Sequence, residues 1–251
     1  GRGYWWFAPD YAWYPGWEQW GCEAPSPCWW PHWSPPPELV AQDEVPIGPD
    51  GTVNVTVDTA LAKTLFPRQD HRYEITAEVV DQSRRTIVGS GSVIAARRPF
   101  RVYGWVDQGH YRPGDTVTAS FHARSVDGNP VAGKGIIKLL SVSYDNDGKP
   151  VEQEAQRWEV ELNPDGFVRQ LLVAAKAGQY RLSCTVTDAK GRTVEGGYLF
   201  NVFGDGVVAG DFRYNALELI NDRAEYAPGD NVRLRINTAR PDCTVLLFPR
   251  V

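Results

Sequence analysis

The sequence predicts an all-β protein built from immunoglobulin-like antiparallel β-sandwich modules in tandem, with one module complete and two partial. Three observations lead to this prediction: short runs in which apolar and polar residues alternate, turn-forming residues between those runs, and an internal repeat. Alternation with period two directs one side of a run towards a core, as in a half-buried strand. Only residues 59–65 suit a helix, of one or two turns. The clearest strand runs are residues 52–57, 73–79, 116–121 and 180–186.

The internal repeat consists of four landmarks that recur in the same order. The last of them, Arg85-Thr86 with Gly89, recurs as Arg192-Thr193 with Gly196. Residues 72–81 recur as residues 179–188, at an offset of 107. Two turn motifs recur at an offset of 115: Tyr111-Arg-Pro-Gly-Asp115 as Tyr226-Ala-Pro-Gly-Asp230, and Pro49-Asp-Gly51 as Pro164-Asp-Gly166. Agreement on several separate landmarks indicates two copies of one structural unit.

The order of the landmarks predicts the domain organisation. Residues 100–204 carry the full set and are predicted to form a complete sandwich. Residues 38–99 carry only the later landmarks and are predicted to be the back half of a sandwich. Residues 205–251 carry only the first landmark and are predicted to be a linker and a front half. Residues 1–37 hold eight of the ten tryptophans with many prolines, which predicts an irregular insertion.

The charge pattern argues against nucleic-acid binding. The chain has 26 Lys and Arg residues and 31 Asp and Glu residues, a net charge of −5, and no basic stretch stands out. No run approaches the ~20 apolar residues that cross a bilayer, so we expect a soluble piece. Because the chain begins Gly-Arg-Gly and has no methionine, we expect it to be a fragment of a longer protein.

No motif in the sequence indicates catalysis, a cofactor or a metal. The four histidines are scattered, with none at ligand spacing from a cysteine or a second histidine. Residues 145–148 begin like a calcium loop, but Lys149 and Gln156 stand where oxygen ligands are needed, which favours a hairpin turn. Residues 89–93 lack the Gly-x-Ser-x-Gly elbow and suit a glycine-rich strand. We therefore expect a non-enzyme without catalytic residues, cofactor or metal site.

Two of the four cysteines lie close together in the sequence. Cys22 and Cys28 flank a Pro-containing loop, where either a local disulfide or two reduced thiols is compatible with the spacing. Cys184 belongs to the alternating run 180–186, so it is expected to be a small core residue.

The tryptophan-rich segment allows two interpretations. In the first, the segment packs on itself and on a neighbouring sandwich, since each buried aromatic side chain removes ~150–250 Å² from water. Alternatively, it exposes a surface that binds glycans or a membrane interface. The side chains expected to form this packing or binding surface are Trp5, Trp6, Trp29, Trp30 and Trp33.

The sequence resembles the macroglobulin-like domains of the alpha-2-macroglobulin family, specifically its bacterial members, over residues 38–251. The resemblance depends on residues 111–117 with 128–133, residues 177–182 with 187–191, and residues 217–230 with 245–247. It implies a seven-stranded sandwich that is repeated along a chain which traps proteases, in a periplasmic and often lipid-anchored protein. The family's thioester signature, Cys-x-Glu-Gln, is absent, because Ala24 follows Cys22-Glu23. No thioester chemistry is therefore expected in this chain.

The resemblance implies scaffold modules of a broad-spectrum protease inhibitor, located in the periplasm or at the cell surface. The alternative is a carbohydrate- or surface-binding protein that uses the tryptophan segment on a sandwich stalk. Expected partners are other domains of the same parent protein and, for the full-length protein, target proteases. Residues 97–100 and 203–212 are expected to be hinges or interfaces between modules. The two half modules are complementary, so we expect them to pair, between chains or within one.

Overall fold

The computed structural model describes residues 14–16, 38–66, 70–80, 83–108, 110–204, 212–213, 217–221, 226–238 and 242–248. They divide into two compact units. One unit contains the described residues from Pro99 onward together with residues 14–16, and the other contains those between 38 and 98. Each unit is described by itself.

Seven strands of the first unit form a two-sheet sandwich. They are β3 (Arg101–Val106), β4 (Thr116–Arg124), β5 (Gly133–Tyr144), β6 (Pro150–Leu162), β7 (Phe167–Val173), β8 (Gly178–Asp188) and β9 (Thr193–Val202). One sheet has the order β3-β4-β7, the other β6-β5-β8-β9, and every pairing is antiparallel. The predicted fold class, an all-β antiparallel sandwich, is confirmed.

The core lies between the two sheets, where the alternating side chains meet. In β8, Leu182, Cys184 and Val186 have no exposed surface, as the period-two pattern predicts. Phe121 of β4 is equally buried on the facing sheet. The two sheets lie close together at Gly196, where an added Cβ would be 2.2 Å from the Val102 carbonyl oxygen. Glycine there allows β3 to lie directly on β9.

Tyr111, which precedes β4, anchors this part of the chain to the four-stranded sheet. Its ring is 1% exposed and contacts Phe200 edge-on, with centroids 5.5 Å apart. Its hydroxyl donates to Asp107 Oδ1 at 2.7 Å and accepts from the Gln108 N–H at 2.9 Å. Because its hydroxyl is satisfied both as a donor and as an acceptor, the tyrosine of the repeated turn motif can be buried completely.

The repeated turns have the same geometry in both copies. The Asp115 N–H donates to the Arg112 carbonyl at 3.0 Å, and the Asp230 N–H donates to the Ala227 carbonyl at 3.0 Å. The glycine in each turn has positive φ, 89° at Gly114 and 95° at Gly229, as a type II Pro-Gly turn requires. Residues 145–148 form the predicted hairpin turn, in which the Gly148 N–H donates to the Asp145 carbonyl at 2.9 Å.

The second unit holds a short helix, α1 (Ala60–Leu65), and a hairpin of β1 (His71–Val80) and β2 (Thr86–Ala95). The hairpin has the register of β8 and β9: His71 pairs with Ala95 and Val80 with Thr86, as Gly178 pairs with Val202 and Thr187 with Thr193. All ten pairs correspond at the offset of 107. This hairpin therefore matches the last two strands of the complete sandwich.

A second hairpin, β10 (Glu218–Asn221) with β11 (Leu234–Asn237), matches the first two strands. Its four pairs, from Glu218 with Asn237 to Asn221 with Leu234, correspond at the offset of 115 to Tyr103 with His122 through Val106 with Ala119. It therefore has the register of β3 and β4.

The strand predicted at residues 52–57 is not formed, and this prediction was wrong. At the offset of 115 these residues correspond to β7, whose ladder partner in the sandwich is β4. No strand pairs with residues 52–57 among the residues that the structure describes. A strand requires a partner for its backbone groups, so the alternating pattern alone does not produce one.

Candidate interaction site

An ionic cluster with a buried arginine at its centre lies on the outer face of the four-stranded sheet. Its centre is Arg181 of β8, which points away from the sandwich core because it alternates with Leu182. Arg181 is nonetheless only 9% exposed, because residues 14–16 lie over it. An open pocket of about 390 Å³ beside it is lined by Tyr14, Pro15, Gly16, Pro150, Glu152, Arg181 and Glu195.

Arg181 is held between two carboxylates from different strands. Its Nε and Nη2 donate to Glu152 of β6 at 2.6 and 2.9 Å, a bidentate pair. Its Nη1 donates to Glu195 of β9 at 2.8 Å, and the Ser183 hydroxyl donates to the same Glu195 oxygen at 2.7 Å. Arg181 thereby links β8 to both β6 and β9, two strands that are not consecutive in the sequence.

Tyr14 brings the amino-terminal segment into this cluster. Its side chain is 3% exposed, and its hydroxyl donates to the Glu152 carboxylate. Burial first, then the hydrogen bond and charge of Glu152, raise the pKa of the Tyr14 hydroxyl far above its ordinary value. The hydroxyl therefore remains a donor at physiological pH. At this one described point, the tryptophan-rich segment packs against the sandwich.

The pKa values of the ion pair are shifted in the directions that stabilise both charges. Burial would raise the pKa of Glu152, but the hydrogen bonds from Arg181 and Tyr14 outweigh it and lower the pKa. Burial would likewise lower the pKa of Arg181, yet the hydrogen bonds to Glu152 and Glu195 raise it. Both groups are therefore charged near neutral pH.

Acidification is expected to weaken this cluster. The pKa of Glu152 is lower in the folded chain than in the unfolded chain. Its contribution to the free energy of unfolding is therefore complete above the ordinary glutamate pKa of about 4.3 and is lost as pH falls through the folded pKa. We expect Glu152→Gln to lower the free energy of unfolding by about 1 to 2 kcal/mol at pH 7 and by less at pH 3.5. Urea denaturation at the two pH values measures both. Glu161→Gln, on the exposed face of the same strand, is the control, and an equal pH dependence in both variants would contradict the assignment.

The sequence-predicted site residues fall outside the described ranges. Cys22, Cys28, Trp5, Trp6, Trp29, Trp30 and Trp33 all lie there, so the disulfide and the tryptophan surface stay predictions. Within the described ranges, no group of three His, Cys, Asp or Glu side chains is placed to hold a metal ion. Sequence reasoning missed the Arg181 cluster. The available signal was an arginine on the polar side of the alternating run 180–186.

Cys184 is a buried thiol in the sandwich core. Burial, and then the charge of Glu195, raise the pKa of the Cys184 thiol to about 12. We expect iodoacetamide to spare Cys184 in the folded chain and to modify it only after denaturation, because the thiol is inaccessible and protonated. Cys243, which is exposed, is the internal control for reagent activity. Equal labelling of the two cysteines in the native chain, measured by peptide mass spectrometry, would refute this placement.

Aromatic and cationic side chains form the junction between the sandwich and the β10–β11 hairpin. Phe203, directly after β9, contacts Phe212 with ring centroids 5.3 Å apart. The Arg235 guanidinium of β11 lies 3.2 Å from the centroid of the Phe203 ring. The Gln179 side-chain amide donates to the Arg213 carbonyl at 3.0 Å. These contacts join the end of one module to the beginning of the next, where the sequence predicts an interface.

Comparison with known proteins gives no family and no close relative. No family model matches the chain, and no curated protein matches it. Among solved structures, Escherichia coli alpha-2-macroglobulin in its native conformation is 13% identical over 68% of this chain, with a TM-score of 0.33. This chain covers 12% of that protein.

Two further solved structures are similar over shorter stretches. A CARDB domain from Pyrococcus furiosus in complex with di-metal ions is 12% identical, with a TM-score of 0.26, over 41% of this chain and 87% of that one. A sporulation control protein from Bacillus subtilis is 12% identical, with a TM-score of 0.28, over 48% of this chain and 59% of that one. At these scores the similarities carry no argument about function, and the fold assignment depends on the strand pairing itself.

The described part of the chain contains no helix with the length and apolar character needed to cross a bilayer.

Proposed function

We propose that this chain is a set of structural scaffold modules in a bacterial alpha-2-macroglobulin-like protease inhibitor, and that it catalyses no reaction. The observation that carries the proposal is the repetition of one sandwich architecture in series, with strand registers that correspond pair by pair. Tandem modules that each form their own core once complete are suited to spacing other parts of a long protein. The family named in this proposal is supported by the order and spacing of the landmark motifs, which resemble those of macroglobulin-like domains.

The mechanical role requires modules that hold their neighbours at a fixed angle. The junction supports this requirement, because Arg235 stacks on Phe203 and Phe203 packs on Phe212. A cation placed over an aromatic face contributes about 0.5 to 2 kcal/mol. In the parent protein, such junctions would transmit the position of one module to the next while a protease-sensitive region elsewhere responds to cleavage.

The proposal extends to partners and location. The partners of this chain are other domains of the same parent protein, and target proteases meet only the full-length inhibitor. The parent protein is placed in the periplasm or at the cell surface. A disulfide between Cys22 and Cys28 would suit that oxidising compartment, and mass measurement after alkylation without reductant detects it.

The scaffold role is tested by the orientation of β10–β11 relative to the sandwich. Residual dipolar couplings of the backbone amides should fit one common alignment tensor in the wild-type chain and two in the double variant Phe203→Ala, Arg235→Ala. Phe167→Ala, at the start of β7, removes an aromatic ring away from the junction and should keep one tensor. Independent tumbling in the wild-type chain would overturn the proposal. So would a saturable change in tryptophan fluorescence with glycans that is lost in Trp29→Ala.

A further inference from the structure

The core-type face of the β1–β2 hairpin is exposed. Four apolar side chains on this face, Ile75, Val79, Ile87 and Val93, are 38–65% exposed. Their counterparts at the offset of 107 in the complete sandwich are at most 4% exposed: Leu182, Val186, Val194 and Phe200. In the sandwich these counterparts are covered by the sheet that contains β3 and β4. Among the described residues, the hairpin therefore has the apolar face of a back half, and this face is exposed.

Gly89 indicates which strand would pack against this face. It is the counterpart of Gly196, where the Val102 carbonyl lies so close that an added Cβ would be 2.2 Å away. No atom lies within 4 Å of the corresponding Cβ position at Gly89. Glycine in the middle of a strand is unfavourable unless another backbone approaches closely. The open space above Gly89 thus corresponds to the space that β3 fills in the sandwich.

Residues 52–57 provide a third indication. They keep the alternating pattern of β7, with Val53 and Val55 40% and 60% exposed, but no ladder partner is present among the described residues. In the sandwich the partner of β7 is β4, which belongs to the front half. Among the described residues, the apolar face of β1–β2 and the run 52–57 therefore lack the same partner, the front half of a sandwich.

Besides β3 and β4, which belong to the complete sandwich, the described part of the chain carries that element in its β10–β11 hairpin. Leu217, Val232 and Ile236 are 36–59% exposed there, although their counterparts at the offset of 115 have no exposed surface: Val102, Val117 and Phe121. The front half thus presents the apolar face that complements the back half. Each half has the strand register of its counterpart in the complete sandwich.

We propose that the front half of a second copy of this chain, residues 217–237, docks on the back half, residues 52–95, and completes a hybrid sandwich. In this arrangement Leu217 of the second copy lies over Gly89, and its Leu234 pairs with Val55, as Ala119 pairs with Gln170. Each chain then has one donor and one acceptor half, so the assembly is head-to-tail. Head-to-tail self-association of this kind goes beyond the proposed scaffold role.

Sedimentation velocity of the whole chain over a wide concentration range tests the proposal. The wild-type chain should form a concentration-dependent series of head-to-tail oligomers. Ile87→Asp, on the apolar face, should weaken association at least about tenfold, since a charge would be buried without a partner. Val88→Asp is the matched control on the opposite face, where Val88 is 59% exposed, and should associate like the wild type.

Mixing two single variants distinguishes docking of the two halves from non-specific association. The Ile87→Asp chain retains an intact front half, and the Ile236→Asp chain retains an intact back half. Each alone should be monomeric, and an equimolar mixture should form dimers that do not grow further. A wild-type chain that stays monomeric at every concentration, or a mixture that fails to dimerise, overturns the proposal. A monomer in which the backbone amides of residues 52–57 are protected from exchange would assign the face to the same chain's own front half and likewise overturn the proposal.

Discussion

The substitution Phe121→Ala is expected to destabilise the complete sandwich by about 3 to 5 kcal/mol, because it removes a large side chain from a closed core and leaves a cavity. Phe121 has no exposed surface, and its ring lies directly against the backbone of β3: an added Cβ at Gly104 would be 2.6 Å from it. Urea denaturation followed by far-UV circular dichroism measures the loss.

Ile236 offers the matched control for Phe121. It occupies the corresponding position in β11 but is 36% exposed. In dilute, unassociated chain, Ile236→Ala should change the free energy of unfolding by about 0.5 kcal/mol or less, as expected for a surface substitution. Similar losses from the two substitutions would mean that β3–β4 and β10–β11 do not differ in burial, and the distinction between a complete and a half module would not hold.

The substitution Gly196→Val should have an effect of similar size, for a different reason. Its Cβ would lie 2.2 Å from the Val102 carbonyl oxygen, so the two sheets must separate where β3 lies on β9. Overpacking of this kind usually costs 1–3 kcal/mol, and because backbone rather than a flexible side chain is in the way we expect about 3 kcal/mol or more. The thermal midpoint of the sandwich should fall accordingly.

Gly89→Val provides the comparison for this second prediction. No atom lies within 4 Å of the position that the new Cβ would take, and valine suits an extended strand better than glycine. In unassociated chain this variant should leave the thermal midpoint unchanged or slightly higher. A loss as large as that of Gly196→Val would show that Gly89 is already covered in the monomer.

The sandwich fold could be predicted because its information is local and periodic. Alternation in residues 180–186 identifies the core-facing side of β8, and the same register in β1–β2 follows from the repeat. The repeat also accounts for Arg84, which has φ of 62° because it stands at the turn position that Gly191, with φ of 75°, occupies in the other copy. Once the turn sets the register, the residue at that position must adopt the left-handed conformation.

Two features could not be predicted, since each depends on partners that are distant in sequence. The strand at 52–57 failed to form although its pattern is regular, because hydrogen bonding of a strand is decided by its neighbour. The Arg181 cluster joins side chains from β6, β8 and β9 with Tyr14. Only the sheet order β6-β5-β8-β9 places these residues together, and periodicity contains no information about that order.

The account depends on the correspondence of strand register between the half modules and the complete sandwich. Cross-strand proton contacts measured by NMR on the whole chain test it directly. Thr76 should lie opposite Ser90 in the β1–β2 hairpin, as Ser183 lies opposite Gly197 in β8 and β9. A pairing shifted by a single residue would turn the apolar side chains of one strand to the other face and contradict the correspondence.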